Sequence, residues 1–187
     1  MSGSSTPTEW RWIARFAGQF RLNGLGPGDE CVVLSESSSR PELVATAILA
    51  AESLGAKPFE VVMRTPASST PVALRSTGTS LALNGQAGAV AALSSVSFVI
   101  DITVEGLLHS RELRAILGAG TSVLMISNEH PEVFERLPHD TGMAERVATS
   151  HDVLTQAKAM HVTSAAGTDL HIELDGAFTA GSTGVIS

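Results

Sequence analysis

The chain contains no tyrosine, a single cysteine and few aromatic residues of any kind, 4% of its 187 positions. Each scarcity narrows the fold. One thiol, Cys31, leaves nothing for an internal disulfide, and its place in an apolar run marks a small buried hydrophobe rather than a nucleophile. A core with so few rings has to be aliphatic. That suits buried parallel strands covered by alanine-rich helices. Charge is sparse too: 12 Lys and Arg stand against 19 Asp and Glu, a formal net charge of −7. The basic residues form no run, so nucleic acid and anionic membranes are excluded as expected partners. No apolar stretch approaches the roughly 18 residues of a membrane span, and the polar start from Met1 to Pro7 has no signal-like apolar core. A cytoplasmic setting is expected.

What remains is a regular alternation. Trp12, Ile13, Phe16 and Phe20 share one helical face between Glu9 and Leu22, with Thr8 placed to cap and Asn23-Gly24 to stop. Cys31–Leu34 reads as a buried strand. Ser39 can cap the next helix, Pro41 suits its first turn, and Gly55 ends it. Phe59–Met63 is a second strand, completing a βαβ unit. From Thr65 to about Gln86, Pro, Ser, Thr and Gly dissolve the pattern into a long loop, a length usually tied to binding or a lid. Further elements follow: a helix over Ala87–Leu93, a strand over Phe98–Ile102, a helix over Ser110–Leu117 and a strand over Ser122–Ile126. Helices over Pro131–Leu137 and Met143–Met160 come next. This order predicts an α/β fold: a doubly wound, mostly parallel sheet with helices on both faces. The last stretch differs, since residues 161–164 and 170–174 read as a β-hairpin around Gly167. The expected division is an α/β domain over 1–160, then a hairpin and tail over 161–187 that open a truncated second domain.

The glycine clusters lie in the wrong order for nucleotide chemistry. Gly24, Gly26 and Gly28 precede a strand, whereas a dinucleotide fingerprint follows one, and Gly118-Ala-Gly120 separates a helix from a strand. Turn formation explains both. Of six histidines, His130, His139 and His151 sit in polar helical stretches and read as surface residues. Asp169 and His171 share a strand face and could hold a divalent metal. Two donors do not complete a site, however, and a carboxylate after Gly-Thr commonly bonds its own turn. His109 differs from these. It follows the strand that ends near Ile102 and precedes a helix, at the carboxyl edge where doubly wound sheets bind ligands. Leu107 and Leu108 beside it would line a partly dry pocket. A histidine there can act as base, acid or donor, or simply bond its loop.

Several motifs in order carry a resemblance: Val99-Ile-Asp101, Leu107-Leu-His-Ser110, Ile116-Leu-Gly-Ala-Gly-Thr121, Pro131-Glu-Val133, Ala157-Lys-Ala-Met-His-Val162 and Ala166-Gly-Thr-Asp169. Together they resemble the 2,5-dihydroxypyridine 5,6-dioxygenases of nicotinate breakdown, iron(II) enzymes sharing a fold with aminopeptidase T-like metallopeptidases. The resemblance spans about Cys31 to Asp169, with Leu-Leu-His-Ser its most discriminating part. It implies that His109 is the catalytic histidine contacting substrate and assisting proton transfer, and that Leu108 packs against the ring. It also implies Fe(II) held by two histidines and an aspartate in a C-terminal half, outside this chain. No metal ligand is therefore assigned here, and the chain alone is expected to be inactive. The implied partners are a small aromatic substrate, dioxygen, the missing C-terminal domain and further copies in a homo-oligomer. An aminopeptidase T-like metallopeptidase fragment and a non-catalytic small-molecule-binding module are the alternatives.

Overall fold

The structure, a computed structural model, describes residues 8–67, 77–137 and 142–182. Two compact units are present, Met1–Pro138 and His139–Ser187. The second unit takes the helix before the hairpin as well as the hairpin, whereas the sequence reading divided the chain after residue 160.

In the first unit four strands form one wholly parallel sheet. They are β1 (Glu30–Glu36), β2 (Lys57–Met63), β3 (Phe98–Ile102) and β4 (Ser122–Met125), in the order β2-β1-β3-β4. Alternate residues of β1 and β3 feed opposite faces, as the two-residue period of a strand requires. Cys31, Val33, Phe98, Ile100 and Ile102 pack under α1 (Trp10–Leu22) and α2 (Pro41–Ser53). Val32, Leu34 and Val99 pack on the other face with Leu93 of α3 (Ala87–Leu93) and Ile116 of α4 (Leu113–Gly118). The sheet is therefore doubly wound, as the alternating pattern predicted. Ala47, Ala50 and Ala51 let α2 lie close to the strands. Phe16 and Phe20 of α1 are wholly buried, each such ring contributing roughly 1.5–3 kcal/mol. Cys31 lies in this core, where burial pushes its thiol up to about 11 and leaves it inert.

Several element ends move from their expected places. Glu9, not Thr8, stands at the start of α1. Arg40 takes the cap position of α2, because the Ser39 hydroxyl is engaged elsewhere. It accepts from the Glu36 N–H at 2.8 Å and donates to the Ile102 carbonyl at 2.7 Å, tying the ends of β1 and β3 together. The helix expected from Ser110 begins only at Leu113, and α5 shortens to Val133–Arg136. Residues 68–76 of the long loop lie outside the described residues.

The second unit holds α6 (Met143–Gln156) and the antiparallel hairpin of β5 (Ala159–Thr163) and β6 (Asp169–Glu173). None of its described residues is buried. Among the described residues no helix is long and apolar enough to cross a membrane.

Candidate functional site

The chain leaves β1 for β2 on one side and later returns to place β3 on the other, so the strand order reverses between β1 and β3. In open parallel sheets ligands bind in the crevice at that reversal, beyond the carboxyl ends of the strands. Here two buried acids stand at those ends, Glu36 on β1 and Asp101 on β3. Both were missed as site residues by the sequence reading. The available signal was an acid closing an otherwise apolar strand.

Asp101 shapes the loop that follows it. One carboxylate oxygen accepts from the Thr103 N–H at 3.0 Å and the Thr103 hydroxyl at 2.6 Å, the other from the Leu107 N–H at 2.7 Å. Desolvation pushes its pKa up to about 6, outweighing the pull of these donors, and nearby Glu36 adds to the rise. The loop turns at Gly106, whose φ is +76°. A Cβ there would sit 2.6 Å from the Met125 sulfur, so only glycine fits.

A short strap, residues 77–81, lies along this loop. The Gly78 N–H donates to the Glu105 carbonyl at 2.5 Å, and the His109 N–H donates to the Gly78 carbonyl at 2.5 Å. The Ser80 N–H reaches the Gly106 carbonyl at 2.7 Å, and the Ser110 hydroxyl reaches the Ser80 carbonyl at 2.7 Å. Gly78 has φ +73°, and a Cβ there would fall 3.0 Å from Leu108 Cβ and 3.1 Å from His109 Cδ2. The strap thus seats the two residues that the sequence reading singled out. His109 is exposed at the carboxyl edge, and Leu108 is half-buried beside it. Beyond them, Ser80 Oγ donates to Glu36 Oε1 at 2.8 Å. A cavity of about 150 Å³ opens there, lined by Glu36, Ala67, Thr79, Ser80, Val104 and Glu105 among others. Leu108 and His109 do not line it. They touch the same strap one residue earlier.

A second grouping lies on the hairpin. His161 pairs with His171 across the strands, and Asp169 shares their face, so three donor atoms fall within 4.8 Å of one another. The sequence reading paired Asp169 with His171 but lacked the antiparallel register that adds His161. Two imidazoles and one carboxylate are the donor types of an iron(II) site. Their arrangement does not fit one. The rings are stacked 3.8 Å apart and 15° from parallel, so their nitrogen lone pairs run side by side instead of meeting. His161 Nε2 is bonded to Asp169 Oδ1 at 2.6 Å, and all three side chains are exposed. The other histidines have ordinary surface roles. His130 meets Trp12 edge-on, and His151 lies 3.3 Å from the Thr179 carbonyl. His139 lies outside the described residues.

A family model for 2,5-dihydroxypyridine 5,6-dioxygenases matches residues 11–187. The chain belongs to this family. A curated 2,5-dihydroxypyridine 5,6-dioxygenase from Pseudomonas putida KT2440 is 34% identical over 158 residues, covering 82% of this chain and 44% of the relative. A solved structure of 2,5-dihydroxypyridine dioxygenase from the same organism superposes with a TM-score of 0.68 at 30% identity. It covers 87% of this chain and 46% of that one. The chain thus spans less than half the length of the relatives it matches, and its family membership and its α/β architecture rest on the same stretch.

Proposed function

We propose that this chain is the α/β part of a ring-cleaving dioxygenase that acts on 2,5-dihydroxypyridine or a closely similar hydroxylated pyridine. The observation that carries the reading is the family match over residues 11–187. In this reading the exposed His109 imidazole faces the substrate from the carboxyl edge, and Leu108 offers the ring an apolar contact. The proton of a ring hydroxyl passes to an imidazole nitrogen of His109, a transfer suited to the side chain that changes charge between about pH 5 and 8. The strap from Gly78 to Ser80 holds that imidazole's backbone in place. Iron(II), on ligands outside this chain, would supply open positions for substrate and dioxygen. A cytoplasmic homo-oligomer is the setting we propose; β2 stands at an edge of the four-stranded sheet, and a sheet edge can pair with another copy. No finding favours the peptidase or the non-catalytic module.

The test is His109→Ala in the full-length enzyme. Turnover of 2,5-dihydroxypyridine should fall at least tenfold, general acid–base groups usually contributing about 10²–10⁴-fold, with bound iron unchanged. Unaltered turnover, or iron lost in proportion, rejects the role given to His109.

A further inference from the structure

Glu36 Oε2 is the one buried side-chain oxygen, among the described residues, that has no hydrogen-bond partner. Leaving such an atom idle costs about 1–3 kcal/mol or more for a charged group, so folded proteins rarely keep one without a use. The rest of the residue is fully committed. It is 4% exposed, it ends β1 at the strand reversal, and its other oxygen accepts from Ser80. The same residue lines the cavity of about 150 Å³. That is the volume in which a single benzene-sized ring is known to fit a protein interior.

The wall chemistry narrows the occupant. Among the described residues no Lys, Arg or His lines the cavity, whereas Glu36 and Glu105 both do, with Thr65, Thr79 and Ser80 adding hydroxyls. An anion would find no counter-charge among them. A molecule that brings N–H or O–H donors would find acceptors. Leu81 and Val104 supply apolar surface for a flat face. We infer that this cleft binds a single N-heteroaromatic ring carrying N–H or O–H donors, with Glu36 Oε2 accepting one hydrogen bond from it. The choice of ring rests on the proposed function; the donor-bearing character rests on the cavity. Glu36 is then a ring-binding residue of a subsite beside the one proposed at His109, the two joined through Ser80 and the strap rather than by direct contact.

The experiment uses this chain, isotope-labelled, and follows its backbone amides while 2-pyridone is added. Amides of Glu36, Ser80, Leu81 and Val104 should shift. N-methyl-2-pyridone has the same ring without the N–H donor, and should bind at least tenfold more weakly. Glu36→Gln places a donor where the free acceptor stood and should weaken 2-pyridone at least tenfold, with folding checked by its thermal midpoint. Ala67→Phe offers a second route, since Ala67 is exposed at the rim and a ring there fills the cleft without disturbing the core. Equal binding of the two pyridones, or wild-type binding by both variants, overturns the inference. So does turnover of 2,5-dihydroxypyridine by the full-length enzyme while the Glu36 and Ser80 amides stay unmoved by ring ligands; the proposed function would survive that result. Donor-dependent 2-pyridone binding at Glu36, in a protein whose full-length form leaves 2,5-dihydroxypyridine intact, supports the cleft and rejects the proposed function.

Discussion

The parallel sheet and the hairpin are both well-formed pairs of strands, yet they differ in almost every energetic respect. Every residue of β3 is buried, and six of the seven in β1, whereas every residue of β5 is exposed. The hairpin still alternates correctly. Met160 faces Ile172 and Val162 faces Leu170 on one side, while His161, His171 and Asp169 share the other. A two-residue period is enough to shape a strand, but only a covering layer turns the apolar side into stability. The buried region is also where the unusual groups occur: a carboxylate held near pH 6, an idle carboxylate oxygen and two glycines at positive φ pressed by neighbours. Such features persist only where surrounding structure over-determines them.

The widest gap between the regions should come from removing apolar volume. Ile100 is wholly buried in β3, so Ile100→Ala should cost about 2–5 kcal/mol, including the cavity left behind. Val162 is 38% exposed in β5, and Val162→Ala should cost less than about 0.5 kcal/mol. Urea unfolding followed by circular dichroism measures both. Similar losses at the two sites would mean that the hairpin is packed like the core, and the comparison would collapse.

A smaller effect sharpens the electrostatic side of the contrast. The Asp101 pKa is raised in the folded protein, so the folded state holds its proton more tightly than the unfolded chain does. Its contribution to stability is therefore fully present below about pH 4 and is lost as pH rises through about 6, a change on the order of 3 kcal/mol. Asp101→Asn cannot titrate, and it turns one acceptor towards the N–H of Leu107 or Thr103 as a donor. The wild type should thus be the more stable protein at pH 4, with its advantage shrinking steadily up to pH 7. Paired thermal melts across that range decide the matter. An advantage that grows with pH would show that the three donors, not burial, govern this carboxylate.

The sequence announced most of what depends on neighbours along the chain and little of what depends on register. Phe98–Ile102 and Ala87–Leu93 are strand and helix with the limits their patterns imply, and Gly167 marks the hairpin turn. His109 falls at the carboxyl edge because any residue soon after a parallel strand must. The strap was not legible. Gly78 and Ser80 find their partners about 30 positions away through backbone atoms, which leave no trace in side-chain pattern. Glu36 was obscured for a related reason. The apolar run ends at Leu34, so apolarity alone does not carry the strand to an acid two residues later, whereas β1 continues buried through Glu36, paired there with Met63 of β2. The third donor on the hairpin, His161, needed the cross-strand register that only the fold supplies.

The smallest effect is expected where the donor set looks most like a metal centre. Asp169 Oδ1 is bonded to His161 Nε2 and lies 3.7 Å from His171 Nε2, with the carboxylate side chain 72% exposed. Water screens such contacts and competes for them, so an exposed pair contributes about 0–1 kcal/mol. Asp169→Asn should therefore shift the unfolding free energy by less than about 0.5 kcal/mol. The stacked rings also lack a common focus for their lone pairs, so the same variant of the full-length protein should keep whatever iron the unmodified protein binds, as measured by metal analysis after gel filtration. Iron lost together with Asp169 would mean that the imidazoles swing apart to take a metal. The exposed hairpin, and not a site beyond this chain, would then be the iron-bearing region.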